Sequence, residues 1–523
     1  MFSSISFLKL SVYYLFFTVF IVVSSVILYI LLPPFAFAQL ESTRFMLSAL
    51  VQSEATVIAI VISLSLVVIQ LTASSYSTRV IDIFKESSAI WIVVGTYISA
   101  IVYGLTVLKF IDVIFASGSS IFETSVWIAY FLGILSLGAL IPYLLGALDI
   151  MKSSTVINRF AEKITRENIL SGISGYEKIV TKGATSLNYS YIYSDILRPI
   201  IEIEGDPIQP IIDIVHSSMM KYDYETMRYG LKVLENYMGR VLKSKEFKKD
   251  EGIIAKHILT HLERVGKLAA SREDEDSVVE ILTTIFMIGK VALDQKIENA
   301  VGEAINSIKN IGRSAIKRDL EDVEMMATEL IAEIGRDSVT NGLDFATSVT
   351  VNSLGIIGKD ASKHAQQGLE ETVWMAGSIY EIAKLAVKHK LTQSIFYSIN
   401  AIGEMGKYTA RNDLPKTTIR IVDYLKNLGL ATLDENLYEN TNNVVDYLGE
   451  VGRIAVWSEL NAMALRKLLK RVQYSLEDIM DKAKEKGFAH TVSIVESSSK
   501  KIEKLIKEQQ LNDRGSNLSL QPE

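Results

Sequence analysis

Ile288-Gly289-Lys290, Ile311-Gly312-Arg313, Ile334-Gly335-Arg336 and Ile357-Gly358-Lys359 set an apolar residue, a glycine and a basic residue at intervals of 23. The beat extends back to Met238-Gly239-Arg240 and Val265-Gly266-Lys267. It runs forward through Ile382-Ala383-Lys384, Met405-Gly406-Lys407, Leu428-Gly429-Leu430 and Val451-Gly452-Arg453. From the second of these units to the last, every step is 23 residues except one of 25. Self-similarity at such a period marks a repeat architecture.

Counted from each glycine, positions −4, −1 and +3 are mostly apolar or small, as with Ile402, Met405 and Thr409 around Gly406, or Ile308, Ile311 and Ala315 around Gly312. Spacings of three and four put them on one helical face with the glycine in its middle. A glycine inside a helix costs about 1 kcal/mol relative to alanine, so its recurrence on the apolar face calls for a compensating close approach of a neighbouring helix. Leucine there should overpack, whereas alanine should be mild, because Ala383 stands in the equivalent place. The helix breaks about six residues later, at Asp294-Gln295, His389-Lys390, Asn412-Asp413 and Asp434-Glu435-Asn436. A leucine or isoleucine at +8 reopens it: Ile297, Leu320, Leu343, Leu391, Leu414, Leu437 and Leu460. One helix and one turn fill each unit, and two antiparallel helices make a pair within the length range of HEAT and armadillo repeats. The expectation is an all-α chain with a HEAT-like α-solenoid of about five helix pairs over residues 211–507.

The remaining sequence divides by composition. The chain has 523 residues, 49% hydrophobic and 22% charged, and the apolar excess is concentrated in residues 1–150. Four apolar runs there are long enough to cross a membrane: Leu10–Leu32, closed by Pro33-Pro34, then Ala55–Leu71, Ile90–Lys109 and Val126–Leu148. Ala36-Phe37-Ala38 offers cleavage of the first as a rival reading. The spans so drawn carry no charge in their interiors. Lys9, Arg79, Lys85, Lys152, Arg159, Lys163 and Arg166 fall on one side and Arg44 and Lys109 on the other, which predicts a multi-pass protein of the cytoplasmic membrane with both termini in the cytoplasm. Residues 151–210 read as a membrane-proximal helix and a linker holding Pro199, Pro207 and Pro210, and residues 508–523 as a disordered tail. A net charge of −6 gives no basic footprint for nucleic acid, and the absence of cysteine removes disulfides, thiolate metal sites and cysteine nucleophiles.

The run from Val61 to Arg79, VISLSLVVIQLTASSYSTR, followed by GTYISAIVYGLTVLK from Gly95 to Lys109, resembles the core of a family of predicted prokaryotic integral-membrane proteins catalogued as domain of unknown function 2254. The resemblance covers the second and third spans. It implies a prokaryotic multi-pass membrane protein and supplies no activity.

No residues are expected to be catalytic, to bind a cofactor or to hold a metal, and the chain does not read as an enzyme. The repeated Gly-Lys lacks the flanking glycine and hydroxyl of a phosphate-binding loop. His257 and His261 are one helical turn apart, without the glutamate of a metalloprotease helix. The acidic run Glu273–Asp276 reads as a solvated turn. The basic residue at +1 suits a solvated helix C-terminus, with basic rows facing an acidic partner or lipid head groups as the sharper alternative. Thr56, Ser63, Gln70 and Ser77 recur every seven residues as a polar seam along the second span, either packing against other helices or lining a water path. The expected function is a membrane-anchored helical-repeat scaffold that binds a cytoplasmic protein partner at the inner face of the membrane. The alternative is an oligomeric ion or small-solute channel or transporter regulated by the solenoid. The expected partners are the lipid bilayer, that protein and a second copy of the chain, with no nucleic acid.

Overall fold

A computed structural model describes residues 40–75, 88–173, 206–244, 250–364, 369–458 and 460–518, with Val19, Val23 and Ile81 besides; among the described residues there is no strand. The chain divides into two compact units, Met1–Val233 and Leu234–Glu523.

In the first unit, α1 (Leu40–Ser75), α2 (Ser88–Lys109), the short α3 (Ile111–Ala116) and α4 (Ser119–Ile150) form a bundle in which α1, α2 and α4 each pack on the other two. These three are the described helices long and apolar enough to span a membrane. The expected first span, Leu10–Leu32, apart from Val19 and Val23, and the cleavage site at Ala38 lie outside the described residues. The second span is longer than the apolar run suggested. α1 holds 36 residues, about 54 Å of helix, and its N-terminal part takes in charges that the run starting at Ala55 left out. α5 (Ser153–Lys163), α6 (Gln209–Met220) and the first half of α7 (Tyr224–Lys243) complete the unit. Gly230 lets Val215 in close, its absent Cβ lying only 2.6 Å from the valine Cγ2. The lysine at the turn after α6, Lys221, donates to the carbonyl of Ser74 at 3.0 Å, a cation at the C-terminal end of α1.

The second unit is the repeat. After α7 come α8 (Glu251–Ser271), α9 (Glu275–Asp294), α10 (Glu298–Ile316), α11 (Glu321–Thr340), α12 (Asp344–His364), α13 (Leu369–His389), α14 (Thr392–Arg411), α15 (Pro415–Asp434), α16 (Tyr438–Val456), α17 (Ala462–Glu485) and α18 (Ala489–Leu518). Each packs on the next and on the next but one, so even-numbered helices form one layer and odd-numbered helices the other. This is the expected α-solenoid, with five pairs from α8 to α17. α18 continues as helix through the first part of the stretch read as a disordered tail; Glu503–Lys507 and Lys504–Glu508 pairs, each one turn apart, support it.

Why 23 residues suffice for a helix and its turn is visible at +7. Glu273, Lys296, Asp319, Gly342, Lys390, Asp413 and Asn436 all have positive φ. Reversing the chain in the left-handed region lets the +8 amide donate back to the +3 carbonyl. This bond recurs from Asp274 to Ala269, Ile297 to Ala292, Leu320 to Ala315, Leu343 to Ser338, Leu391 to Ala386, Leu414 to Thr409 and Leu437 to Thr432, at 2.8–3.2 Å. It is the six-to-one bond of a Schellman turn. The +8 residue that reopens the pattern is the N-cap of the next helix at Asp274, Ile297, Leu320, Leu391, Leu414 and Leu437. Within the acidic run, Asp274 accepts from the Ser277 amide at 3.2 Å and its hydroxyl at 2.7 Å, capping α9.

The glycines sit at two contacts at once. A Cβ at Gly289 would stand 3.1 Å from Ala304 and 3.3 Å from Ile334; at Gly312, 3.0 Å from Ala327 and 3.9 Å from Ile357; at Gly335, 2.4 Å from Thr350 and 3.0 Å from Ile382. Gly266 likewise faces Ile281 and Ile311, Gly358 faces Met375 and Met405, and Gly406 faces Ile421 and Val451. Gly429 and Gly452 meet Ile479 and Ile502 in the same way. The first partner lies on the following helix. For Gly266, Gly289, Gly312, Gly335, Gly358 and Gly406 the second is the apolar −1 residue two units on. The apolar-glycine dipeptide is therefore a knob beside a hole, each knob entering the hole two helices earlier in its own layer. Gly239, at the start of the array, has nothing within 4 Å.

The +1 cations join helices of one layer. Lys290 reaches Glu333 at 3.2 Å and also Asp337; Arg313 reaches Asp360 at 2.6 Å, and Lys407 reaches Glu450 at 3.0 Å. Arg471–Asp423 and Lys426–Asp478 add rungs outside the +1 positions, at 2.5 and 3.2 Å. The hydrogen bond that Lys290 donates to Asp337 holds its ammonium above the usual lysine range, against the opposing effect of burial. These half-exposed pairs are worth roughly 0.2–1 kcal/mol each. Their carboxylate partners come from the solenoid itself, so at these rungs the cations do not form a row awaiting an acidic ligand.

Candidate functional site

The inner face of α1 follows a spacing of three, four or seven: Thr43, Leu47, Val51, Glu54, Val61, Val68 and Thr72 are all buried. A carboxylic acid thus stands in the middle of a line of aliphatic side chains. Glu54 is 2% exposed. Toward one end, Leu47 packs with Val107, Ile111, Phe122, Val126 and Ala129; toward the other, Val61 packs with Val93, Tyr97 and Tyr143. Glu54 lies between these two clusters, opposite the central stretch of α4.

Two glycines bring the helices together there. A Cβ at Gly104 of α2 would lie 2.5 Å from Val51 Cγ2, and one at Gly133 of α4 would lie 2.7 Å from Glu54 Oε1 and 3.0 Å from Leu50 Cδ1. Such small-residue contacts are how membrane helices approach closely without a hydrophobic driving force. The cost is that the Glu54 carboxyl lies against bare backbone rather than a donor: its Oε1 is buried with no hydrogen-bond partner. Tyr97 Oη, on α2, is also buried and unpartnered. Among the described residues, other buried side-chain polar groups of the bundle have partners. Ser136 Oγ donates to Leu132 O at 2.8 Å, Tyr103 Oη donates to Ser125 O at 3.3 Å, and Ser65 pairs with Tyr143.

The polar seam lies elsewhere. Thr56, Ser63 and Gln70 are exposed; the two hydroxyls donate to their own helix, to Gln52 O at 2.8 Å and Ala59 O at 2.9 Å. Each follows a member of the buried line by two residues, which at about 100° per residue puts it near the opposite side of α1. Ser77 is outside the described residues. Among the described residues the buried acid of the bundle is Glu54, which lies inside the helix long and apolar enough to span a membrane and so corrects the expectation of spans without interior charge. The sequence carries its signal: extending the heptad Val68, Val61 backwards by seven lands on Glu54, one residue before the apolar run Ala55–Leu71. His257 and His261 meet edge to face on α8 with ring centroids 4.7 Å apart.

In the solenoid, the N-terminal ends of successive even-layer helices carry large aromatic side chains. Phe345 on α12, Phe396 and Tyr397 on α14 and Tyr438 on α16 are each 39–47% exposed. Tyr438 stands 6.0 Å from Phe488 at the start of α18.

The fold and its spans define a membrane protein with a helical-repeat domain. Residues 5–188 match the family model described as "Predicted membrane protein (DUF2254)", so the likeness reaches beyond the second and third spans in both directions. No curated protein matches the chain. Among solved structures, a "Circular tandem repeat protein with novel repeat topology and enhanced subunit contact surfaces" is similar over 91% of this chain and 99% of its own, at 12% identity and a TM-score of 0.30. A chain from "Computational Design of Self-Assembling Cyclic Protein Homooligomers" covers 58% and 98%, at 13% identity and a TM-score of 0.16. At those scores neither likeness bears on function or assembly.

Proposed function

We propose that the protein is a membrane-anchored scaffold whose helical-repeat domain binds a protein partner along the aromatic edge of its even layer, at the inner face of the cell membrane. The observation that carries this reading is the row Phe345, Phe396, Tyr397 and Tyr438, part-exposed on three successive helices of one layer. Aromatic side chains dominate binding hot spots because they bring large, rigid area at small entropic cost. The +1 cations already paired within the array leave the aromatic edge as the stronger candidate for recognition.

The test is a photo-crosslinking phenylalanine analogue placed at Phe396 in the full chain in its native membrane, with Lys470 on α17 as the control position. A discrete protein adduct is expected at residue 396, absent at residue 470 and lost when Phe345 and Tyr438 are changed to serine. Adducts equal at the two positions, or none at residue 396, overturn the reading. Glu54 favours the second reading, an ion pathway regulated by the solenoid, over a purely passive anchor.

A further inference from the structure

We propose that Glu54 is a proton-binding site in the membrane domain, with the neutral acid as the form that the close packing of α1, α2 and α4 accommodates. An ionised carboxylate taken out of water without a partner is costly, and within a bilayer such residues pair, face water or hold an exchangeable ion. Glu54 is buried at a point where α4 offers it the backbone of Gly133 and the side chain of no base. Charged residues of the three helices other than Glu54 are Glu41 and Arg44 of α1, Lys109 of α2, and Glu123 and Asp149 of α4, all toward helix ends. Arg44 is engaged with Asp112 at 2.7 Å. Among the described residues, the other titratable groups in the bundle's interior are phenols: Tyr97 and Tyr103 from α2, Tyr130 and Tyr143 from α4.

The ligand is a proton rather than a metal cation because of the oxygen supply. A hard divalent cation takes about six oxygens, whereas two side-chain oxygens in this stretch of the bundle are buried and unpartnered, Glu54 Oε1 and Tyr97 Oη. The Ser136 hydroxyl is committed to the backbone and Ser65 to Tyr143. A proton needs one oxygen to bind and at most a second to be shared with. Loss of that proton leaves an anion against Gly133 and aliphatic side chains, so the deprotonated state demands water or a shift of α4 away from α1. The site thereby couples proton binding to bundle packing, independently of what the solenoid binds.

The experiment is a pH titration of the full-length protein in lipid nanodiscs, followed by infrared difference spectroscopy for wild type, Glu54→Gln and Glu54→Asp. Wild type should show the carbonyl stretch of a protonated carboxylic acid that gives way reversibly to carboxylate bands as pH rises. The band should be missing from Glu54→Gln and moved in frequency and midpoint in Glu54→Asp, which retains an acid should the amide variant fail to assemble. Absence from wild type of any such Glu54 band at every pH, or a band unchanged up to the pH at which the bundle unfolds, would overturn the proposal.

Discussion

At Gly335 an added Cβ would fall 2.4 Å from Thr350 Cγ2, and Thr350 cannot easily yield, being fully buried with its hydroxyl bonded to Ala346 O at 3.0 Å. Alanine there is therefore not mild, contrary to what Ala383 suggests. Fifteen residues after Ala383 stands Ser398, which lacks the threonine methyl. The one alanine of the series thus stands fifteen residues before a serine, whereas Gly335 stands fifteen before a threonine, a local match that a single unit does not display. Gly335→Ala should lower stability by about 1–3 kcal/mol, in the range of overpacked cores, and Gly335→Leu by more. Gly239→Ala, with nothing in its way, should be neutral or stabilising by up to about 1 kcal/mol. Thermal melts of the full-length variants in detergent check this; a Gly335→Ala protein that melts with wild type contradicts it. Glu54 was harder to read than the glycines, because a single acid beside an apolar run looks like the end of a span until the heptad is carried through it.

The period and the break points of each element were legible, since apolar spacing and turn residues report them directly. The turn conformation was not. Among the described +7 positions Gly342, Asn436, Asp319 and Asp413 are residue types that tolerate the left-handed backbone, but Glu273, Lys296 and Lys390 are not, so residue type alone does not announce the conformation that all seven share. An L-residue held there costs roughly 1–2 kcal/mol. Lys296→Gly and Lys390→Gly should therefore stabilise, by up to about 1 kcal/mol each once the added freedom of the unfolded chain is subtracted; a lower melting temperature for both would contradict the turn assignment. Elements are also capped across units. Asp344, first residue of α12, accepts from the Ser394 amide at 2.8 Å and the Gln393 amide at 3.2 Å at the start of α14, and Glu298 of α10 accepts from the Ala346 amide at 3.2 Å. Local capping rules look three residues ahead and miss a cap arriving from some 50 residues away. Asp344→Ala should cost about 0.5–2 kcal/mol, measured as a shift in denaturant midpoint, and Asp344→Asn should recover part of it; equal loss in both would assign the effect to charge alone.

At the largest scale the solenoid is a matter of layering: helices whose repeat lies near 23 residues pack side by side with a repeat of twice that. The sequence carries a second, unremarked line of this kind in Gly355, Gly403 and Gly449, spaced by about two units and each three residues before a repeat glycine. Their absent side chains face Ala401, Tyr447 and Ser498, one layer-neighbour further on. The chain has no cysteine, so engineered pairs report without background. A Cβ at Gly355 would lie 3.0 Å from Ala401 Cβ, near the spacing of about 3.5–4.5 Å that a disulfide requires. Oxidation of full-length Gly355→Cys/Ala401→Cys should give a reducible, intramolecular cross-link between α12 and α14, while Gly355→Cys/Tyr447→Cys, two layer-neighbours apart, should stay reduced. A cross-link in the second pair and not the first, or in the first pair only between separate chains, would contradict the two-layer solenoid.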